Sequence, residues 1–140
     1  MKRFAAATLI LVLSVSALVV PVAQASTPVI CLAYDTGGPG DSSFNDAAQA
    51  GLKVAAKKFQ FTLETTVTSG DAKDRTDRLT ALVKKSCTIV IAVGTGYAAT
   101  LKELSQQYPE KQFAILNDAT VDALNVTSIV FANVQGAYLA

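Results

Sequence analysis

An α/β fold built on a parallel sheet is what the chain predicts, on three features. Two runs, Val29 to Tyr34 and Thr88 to Val93, are almost wholly apolar and too short for helices, the pattern of strands buried on both faces. Stretches of ten or more residues with helical spacing separate the strands, which requires right-handed crossover connections instead of hairpins. The first apolar run also ends in DTGGPGDSSFND, Asp35 to Asp46, a glycine-rich turn that leads straight into a helical stretch.

The elements follow from local pattern. After the first strand, Asn45 to Phe59 reads as a helix, with Ala48, Leu52, Ala55 and Phe59 at helical spacing and Lys53, Lys57 and Lys58 toward solvent. Phe61 to Val67 alternates and fits a second strand. Thr68-Ser69-Gly70-Asp71 is turn chemistry. Asp74 to Lys85 then carries Leu79, Leu82 and Val83 on one helical face, with Arg75 and Arg78 outside. The strand ending at Val93 is closed by Gly94-Thr95-Gly96, and Ala98 to Gln107 forms a third helix stopped by Tyr108-Pro109. Gln112 to Leu116 and Val126 to Phe131 are two further short strands. The chain stops in apolar sequence at Tyr138-Leu139-Ala140, where termini are usually polar, so an interrupted fold is expected.

The first 25 residues stand apart from this pattern. Lys2 and Arg3 precede an uncharged apolar core from Phe4 to Val20, and Ala23-Gln24-Ala25 has the small-x-small cleavage pattern. We expect a signal peptide over 1–25, cleavage before Ser26, and export. Pro28-Val29-Ile30 lacks the small residue expected before a lipidated cysteine, so Cys31 is read as a strand residue. Setting 25 of the 140 residues aside leaves 115, and without Lys2 and Arg3 there are 10 Lys and Arg against 11 Asp and Glu. A near-neutral domain has no electrostatic footprint for nucleic acid or for an anionic membrane. Histidine is absent, so a Ser-His-Asp or Cys-His nucleophile cannot be assembled and two cysteines make a poor zinc site. No cofactor, no metal and no enzymatic activity are expected.

The glycine loop carries the candidate site. It lacks the lysine of GxxxxGK[ST], and its spacing fails GxGxxG, which argues against a phosphate cradle. Ser42 or Ser43 is expected to cap the following helix, with Asp46 in its first turn. Asp41, Phe44 and Asn45 then project at the carboxyl end of a strand, where open α/β sheets bind small molecules. In a parallel sheet the loops Asp35 to Asn45, Thr68 to Asp71, Gly94 to Tyr97, Asn117 to Thr120 and Asn133 to Gln135 share that rim. Phe44 is a stacking platform or a core anchor. Asn45 reads a heterocycle edge or caps the helix. Asp41 binds ligand or orders the loop, and Asp118 accepts from a ligand N–H or closes a turn. Gly94 and Gly96 let a ligand approach the backbone beside Tyr97, itself a contact or a packing residue.

Cys31 lies near the start of the first strand and Cys87 just before the third. In an order such as 2-1-3 these strands are neighbours, so the two cysteines are either a disulfide, which export permits, or two buried thiols. Asn125-Val126-Thr127 matches a glycosylation acceptor.

These residues also carry a family resemblance. A signal peptide, then a strand ending in Asp-x-Gly-Gly-x-x-Asp-x-Ser-Phe-Asn-Asp, then Ala-x-x-Gly-Leu, resembles the basic membrane protein family of substrate-binding proteins, which includes purine nucleoside receptors of ABC importers. Ile91-Ala92-Val93-Gly94 with Tyr97, Tyr108 to Phe113 running on to Asp118, and Asn125-Val126 followed by Phe131 and Gln135 to Ala140 continue the resemblance over the whole mature chain. It implies a Rossmann-like lobe of the type I periplasmic-binding-protein kind, strand order 2-1-3-4 with a following strand. Residues 26–140 would be that amino-terminal lobe, and the second lobe would be missing. It implies a nucleoside-like solute held between two lobes and handed to an ABC permease, with no bond made or broken. The protein would sit in the periplasm or on the extracellular face of the plasma membrane, reaching the membrane through the importer. Phe44 would stack on the base and Asn45 read it, with Asp41, Ser43, Asp118, Gly96 and Tyr97 nearby. Thr95-Gly96-Tyr97 departs from the Gly-Phe pair common in the family. A sugar- or peptide-binding lobe and a small exported α/β enzyme using the rim acids are the alternative expectations.

Overall fold

The computed structural model describes residues 26–139; the expected signal segment lies outside the described residues. Five strands, β1 (Val29–Tyr34), β2 (Thr62–Val67), β3 (Ile89–Val93), β4 (Gln112–Leu116) and β5 (Val126–Ile129), alternate with helices α1 (Phe44–Ala56), α2 (Ala72–Val83) and α3 (Ala98–Gln107), and α4 (Asn133–Leu139) follows β5. A 3₁₀ turn, Thr95–Tyr97, leads into α3. The sheet is wholly parallel in the order β2-β1-β3-β4-β5. The α/β class and the strand order are therefore as expected, and β1 and β4 match residue for residue.

The boundaries that differ have local causes. The first helix begins one residue early, at Phe44, and ends at Ala56, so Phe59 lies in the turn beyond it and is 66% exposed. β5 ends at Ile129, before Phe131. Asn133 to Gln135, read as a rim loop, is the first turn of α4.

The two faces of the sheet are unequally covered. On one face, Cys31, Ala33, Val90, Ala92, Phe113 and Ile115 meet Leu79, Leu82 and Val83 of α2 and Leu101 and Leu104 of α3 in a fully buried core. On the other face Leu32, Tyr34, Val93 and Ala114 are buried, with Phe44, Ala48 and Leu52 of α1 and strand residues Ile91 and Leu116 partly so. α1 has a single buried residue, and it is polar Asn45. A helix with neighbours on both sides buries an apolar stripe; among the described residues α1 has no helical neighbour on its face.

Cys31 and Cys87 are joined by a disulfide with a Cα–Cα distance of 5.8 Å, at the amino end of β1 and inside the larger core. Asn125 donates its side-chain amide to the carbonyls of Ser105, Tyr108 and Lys111 at 3.1, 3.1 and 3.0 Å. That amide ties down the end of α3 and the turn after it, so the sequon-like triplet is a structural clamp.

Candidate functional site

The carboxyl ends of the strands gather the glycine loop, the β2–α2 turn, the 3₁₀ turn and the Asn117–Thr120 turn along one rim. In the glycine loop, Gly37, Gly38 and Gly40 all have positive φ, at 90°, 61° and 100°, which side-chain-bearing residues rarely adopt. The chain therefore reverses tightly enough for Asp41 to reach the start of α1. Its carboxylate accepts from the backbone amides of Ser43, Asn45 and Asp46, at 2.8, 3.3 and 3.2 Å. Desolvation pushes the Asp41 carboxyl up, but those three amides outweigh it and hold it below the ordinary value. Asp46 folds back to accept from Gly40 and Ser42. The expected serine cap is thus corrected. Ser43 occupies the cap position with no side-chain bond, because the longer reach of Asp41 already serves the free amides.

Asn45 is bonded within the protein. Its side chain is 1% exposed. Its Oδ1 accepts from the Asp35 amide at 2.9 Å, and its Nδ2 donates to the carbonyls of Asp35 and Thr36 at 3.3 and 3.4 Å. This amide pins the glycine loop to the end of β1. Buried amides are held this way because an unpaired one costs more than the bond gains.

Phe44, the first residue of α1, is half-buried and faces Phe131 just past β5, with ring centroids 5.6 Å apart and planes inclined by 32°. The inclined geometry is a favoured aromatic arrangement. Together the rings close the rim end of an apolar trough of about 300 Å³ on the α1 face. Asp118 is buried, with Oδ1 accepting from the Thr120 amide and hydroxyl, both at 2.7 Å. Asn117 beside it has φ 65°, and its Oδ1 accepts from Asn133 Nδ2 at 3.2 Å. So Asp118 closes its own turn while the neighbouring amides link β4 to α4.

Gly96 and Tyr97 do not form an open wall. Tyr97 is fully buried and donates its hydroxyl to the Tyr34 carbonyl at 2.9 Å. Burial and the nearby Asp35 charge raise its pKa, Arg75 and Thr68 partly offset them, and the phenol is pushed up to about 12. Tyr97→Phe should therefore cost about 1 kcal/mol, one net hydrogen bond, since the Tyr34 carbonyl also accepts from the Thr68 amide. Urea unfolding of the two proteins checks this, and a loss well above that size would mean the hydroxyl does more.

Arg75 explains why Gly96 is covered. The sequence placed Arg75 outside, yet its guanidinium packs over Gly96, where a Cβ would come within 2.6 Å of Cζ. One nitrogen donates to Asp35 Oδ1 at 2.7 Å and another to the Gly70 carbonyl at 2.5 Å, while the group lies 5.8 Å from the Tyr97 ring centroid. Asp35 in turn takes the space a Cβ on Gly94 would need, at 2.6 Å from Oδ2. The glycines at 94 and 96 are thus the counter-surfaces of one ion pair that ties three rim loops together. Asp35, Arg75 and Phe131 were missed as site residues; the only sequence signal was an acid at a strand end and a basic residue in a helix's first turn. Among the described residues no cluster of acids and cysteines could hold a metal ion, and no helix is long and apolar enough to cross a membrane.

The chain is similar to known proteins throughout this region. A family model described as ABC transporter substrate-binding protein, PnrA-like, matches residues 29–140. The CD4+ T-cell-stimulating antigen of Listeria monocytogenes is 32% identical over 79% of this chain and 32% of its own length. The ABC transporter nucleoside-binding protein BmpA of Lactococcus lactis is 28% identical over 76% of this chain and 31% of its own. A crystal structure of an ABC transporter solute-binding protein from Aeropyrum pernix K1 superposes with a TM-score of 0.67 at 26% identity, covering 74% of this chain and 28% of that one. The chain spans about a third of the length of these relatives.

Proposed function

The chain belongs to the PnrA-like family of ABC transporter substrate-binding proteins, and from that premise we propose that it forms one wall of a cleft for a nucleoside or related heterocycle. In this reading the wall is exported and delivers its solute to a membrane-bound permease, with no covalent chemistry. The observation that carries it is the half-buried Phe44 at the head of α1, backed by Phe131 on a rim otherwise made of amides and acids. A flat apolar ring set among hydrogen-bonding groups suits a heterocycle better than a phosphate or a sugar. Asn45 and Asp41 serve that wall by fixing the loop that presents Phe44, and Asp118 shapes the neighbouring turn. The name of the Lactococcus protein supports the nucleoside class.

One wall binds weakly. Stacking contributes about 1–3 kcal/mol per base, against roughly 4 kcal/mol for a millimolar site. Titration of the isotope-labelled protein with inosine should move the amide resonances of Phe44, Phe131 and the Asn117–Thr120 turn at millimolar concentration. Glucose and ribose should leave them in place. Shifts produced by the sugars and not by inosine would overturn the nucleoside reading in favour of a sugar-binding lobe.

A further inference from the structure

Four glycines at the rim mark places where one loop is pressed onto the next. A Cβ on Gly70 would come within 2.8 Å of Thr36 Oγ1, one on Gly94 within 2.6 Å of Asp35 Oδ2, one on Gly96 within 2.6 Å of Arg75 Cζ, and one on Gly38 within 3.0 Å of Val67 Cγ2. The glycine loop after β1 is thereby seated between the ends of its neighbours β2 and β3. Arg75, in the first turn of α2, reaches all three segments. It donates to Asp35 Oδ1 and to the Gly70 carbonyl, and its guanidinium packs on Gly96 beside the Tyr97 ring. Only 17% of its side chain is exposed, so water competes weakly for these bonds.

From Asp35 the bonding runs on to the aromatic platform. The Oδ1 that takes Arg75 also accepts from the Thr36 amide at 2.8 Å. The backbone of residues 35 and 36 is in turn gripped by the Asn45 side chain, and the Asp35 carbonyl accepts from the Gly38 amide. Asn45 follows Phe44 directly at the head of α1. We propose that Arg75 is a positioning residue for Phe44: acting through Asp35 and Asn45, it fixes the seat of the glycine loop and with it the placement of the ring on the rim. It needs no contact with the solute to do so. The role rests on the reading of Phe44 as the solute's platform. A planar fork can serve acceptors on two loops while packing against Gly96, whereas lysine offers a point charge on a flexible stem.

Gly96→Ala separates this role from the charge itself. Gly96 lies in the 3₁₀ turn without a left-handed φ, so alanine suits its backbone, and the new methyl meets only the far end of a flexible side chain. Hydrogen exchange of the unliganded protein should be faster by about tenfold or more at the Thr36 and Gly38 amides in Arg75→Met, the effect of losing one charge-assisted hydrogen bond. The Phe113 amide, bonded to the Asn125 carbonyl beyond the rim, should keep its protection. Gly96→Ala should give the same pattern, the double variant no more than either change alone, and Arg75→Lys only part of it. Unchanged Thr36 and Gly38 amides in Arg75→Met, faster exchange shared equally by Phe113, or effects of the two substitutions that simply add would each overturn the proposal. With inosine, the titration midpoint should rise several-fold in Gly96→Ala; a loosened loop with an unchanged midpoint also overturns it. An unaltered protein that ignores inosine would remove the nucleoside reading instead, and the exchange pattern would still decide whether Arg75 seats the loop.

Discussion

Replacing both Cys31 and Cys87 with alanine should lower the unfolding free energy by about 2–4 kcal/mol. The bridge spans a sequence separation of 56, and for such a loop the chain-entropy model gives about 4 kcal/mol before any native strain is subtracted. Both cysteines belong to the larger core, so alanine also forfeits some packing there. The effect is large beside the total, since a domain of this size rarely exceeds 5–15 kcal/mol. Urea midpoints of the native protein, the reduced protein and the double-alanine variant measure it. Reduced protein and variant should fall together, well below the native midpoint; three coincident curves would refute a stabilising role. The rim should be unaffected in folded variant molecules, because the bridge sits at the opposite end of the strands from the Phe44 platform.

Asn45→Ala should act at that other end. It removes the partner of the Asp35 amide and of two carbonyls at once. An unsatisfied buried group costs about 1–3 kcal/mol, and water can reach Thr36, so we expect a total loss of about 2–3 kcal/mol. Asn45→Asp keeps an acceptor for the Asp35 amide but turns a buried carboxylate oxygen toward the carbonyls of Asp35 and Thr36, so its cost at neutral pH should be at least as large. Hydrogen exchange gives the local readout: the Asp35 amide should exchange faster in the alanine variant, and that of Gly38, which donates to the Asp35 carbonyl, should follow. Unchanged protection at both amides would show that the loop holds itself without Asn45.

The backbone plan was legible because it rests on signals that local sequence carries undiluted. Val29–Tyr34 and Ile89–Val93 are nearly continuous apolar runs, and only central strands of a parallel sheet need both faces apolar, so β1 and β3 had to lie inside the sheet. Side-chain roles were less legible, because they depend on which groups meet across long separations. Arg75 looks like an ordinary solvent-facing helix residue until the fold brings it to Asp35, 40 positions earlier. The serine cap was misassigned for the opposite reason: Asp41, close in sequence, outcompetes the serines for the helix amides once the glycines turn the chain back. Asn133–Gln135 was read as loop because the apolar residues within and after it, Val134 and Tyr138, have no buried face to set a helical period against.

The strand order also sets a timetable. β1 is made first, yet its edges are taken by β2 and by β3. During synthesis from the amino end, about 60 residues must follow Tyr34 before Val93 exists, roughly 3–12 s at 5–20 residues per second. Throughout that interval this apolar strand has at most one neighbour. A parallel sheet with its earliest strand in the middle cannot close piecemeal; it waits for the chain. That delay leaves β1 open to wrong pairing before β3 arrives.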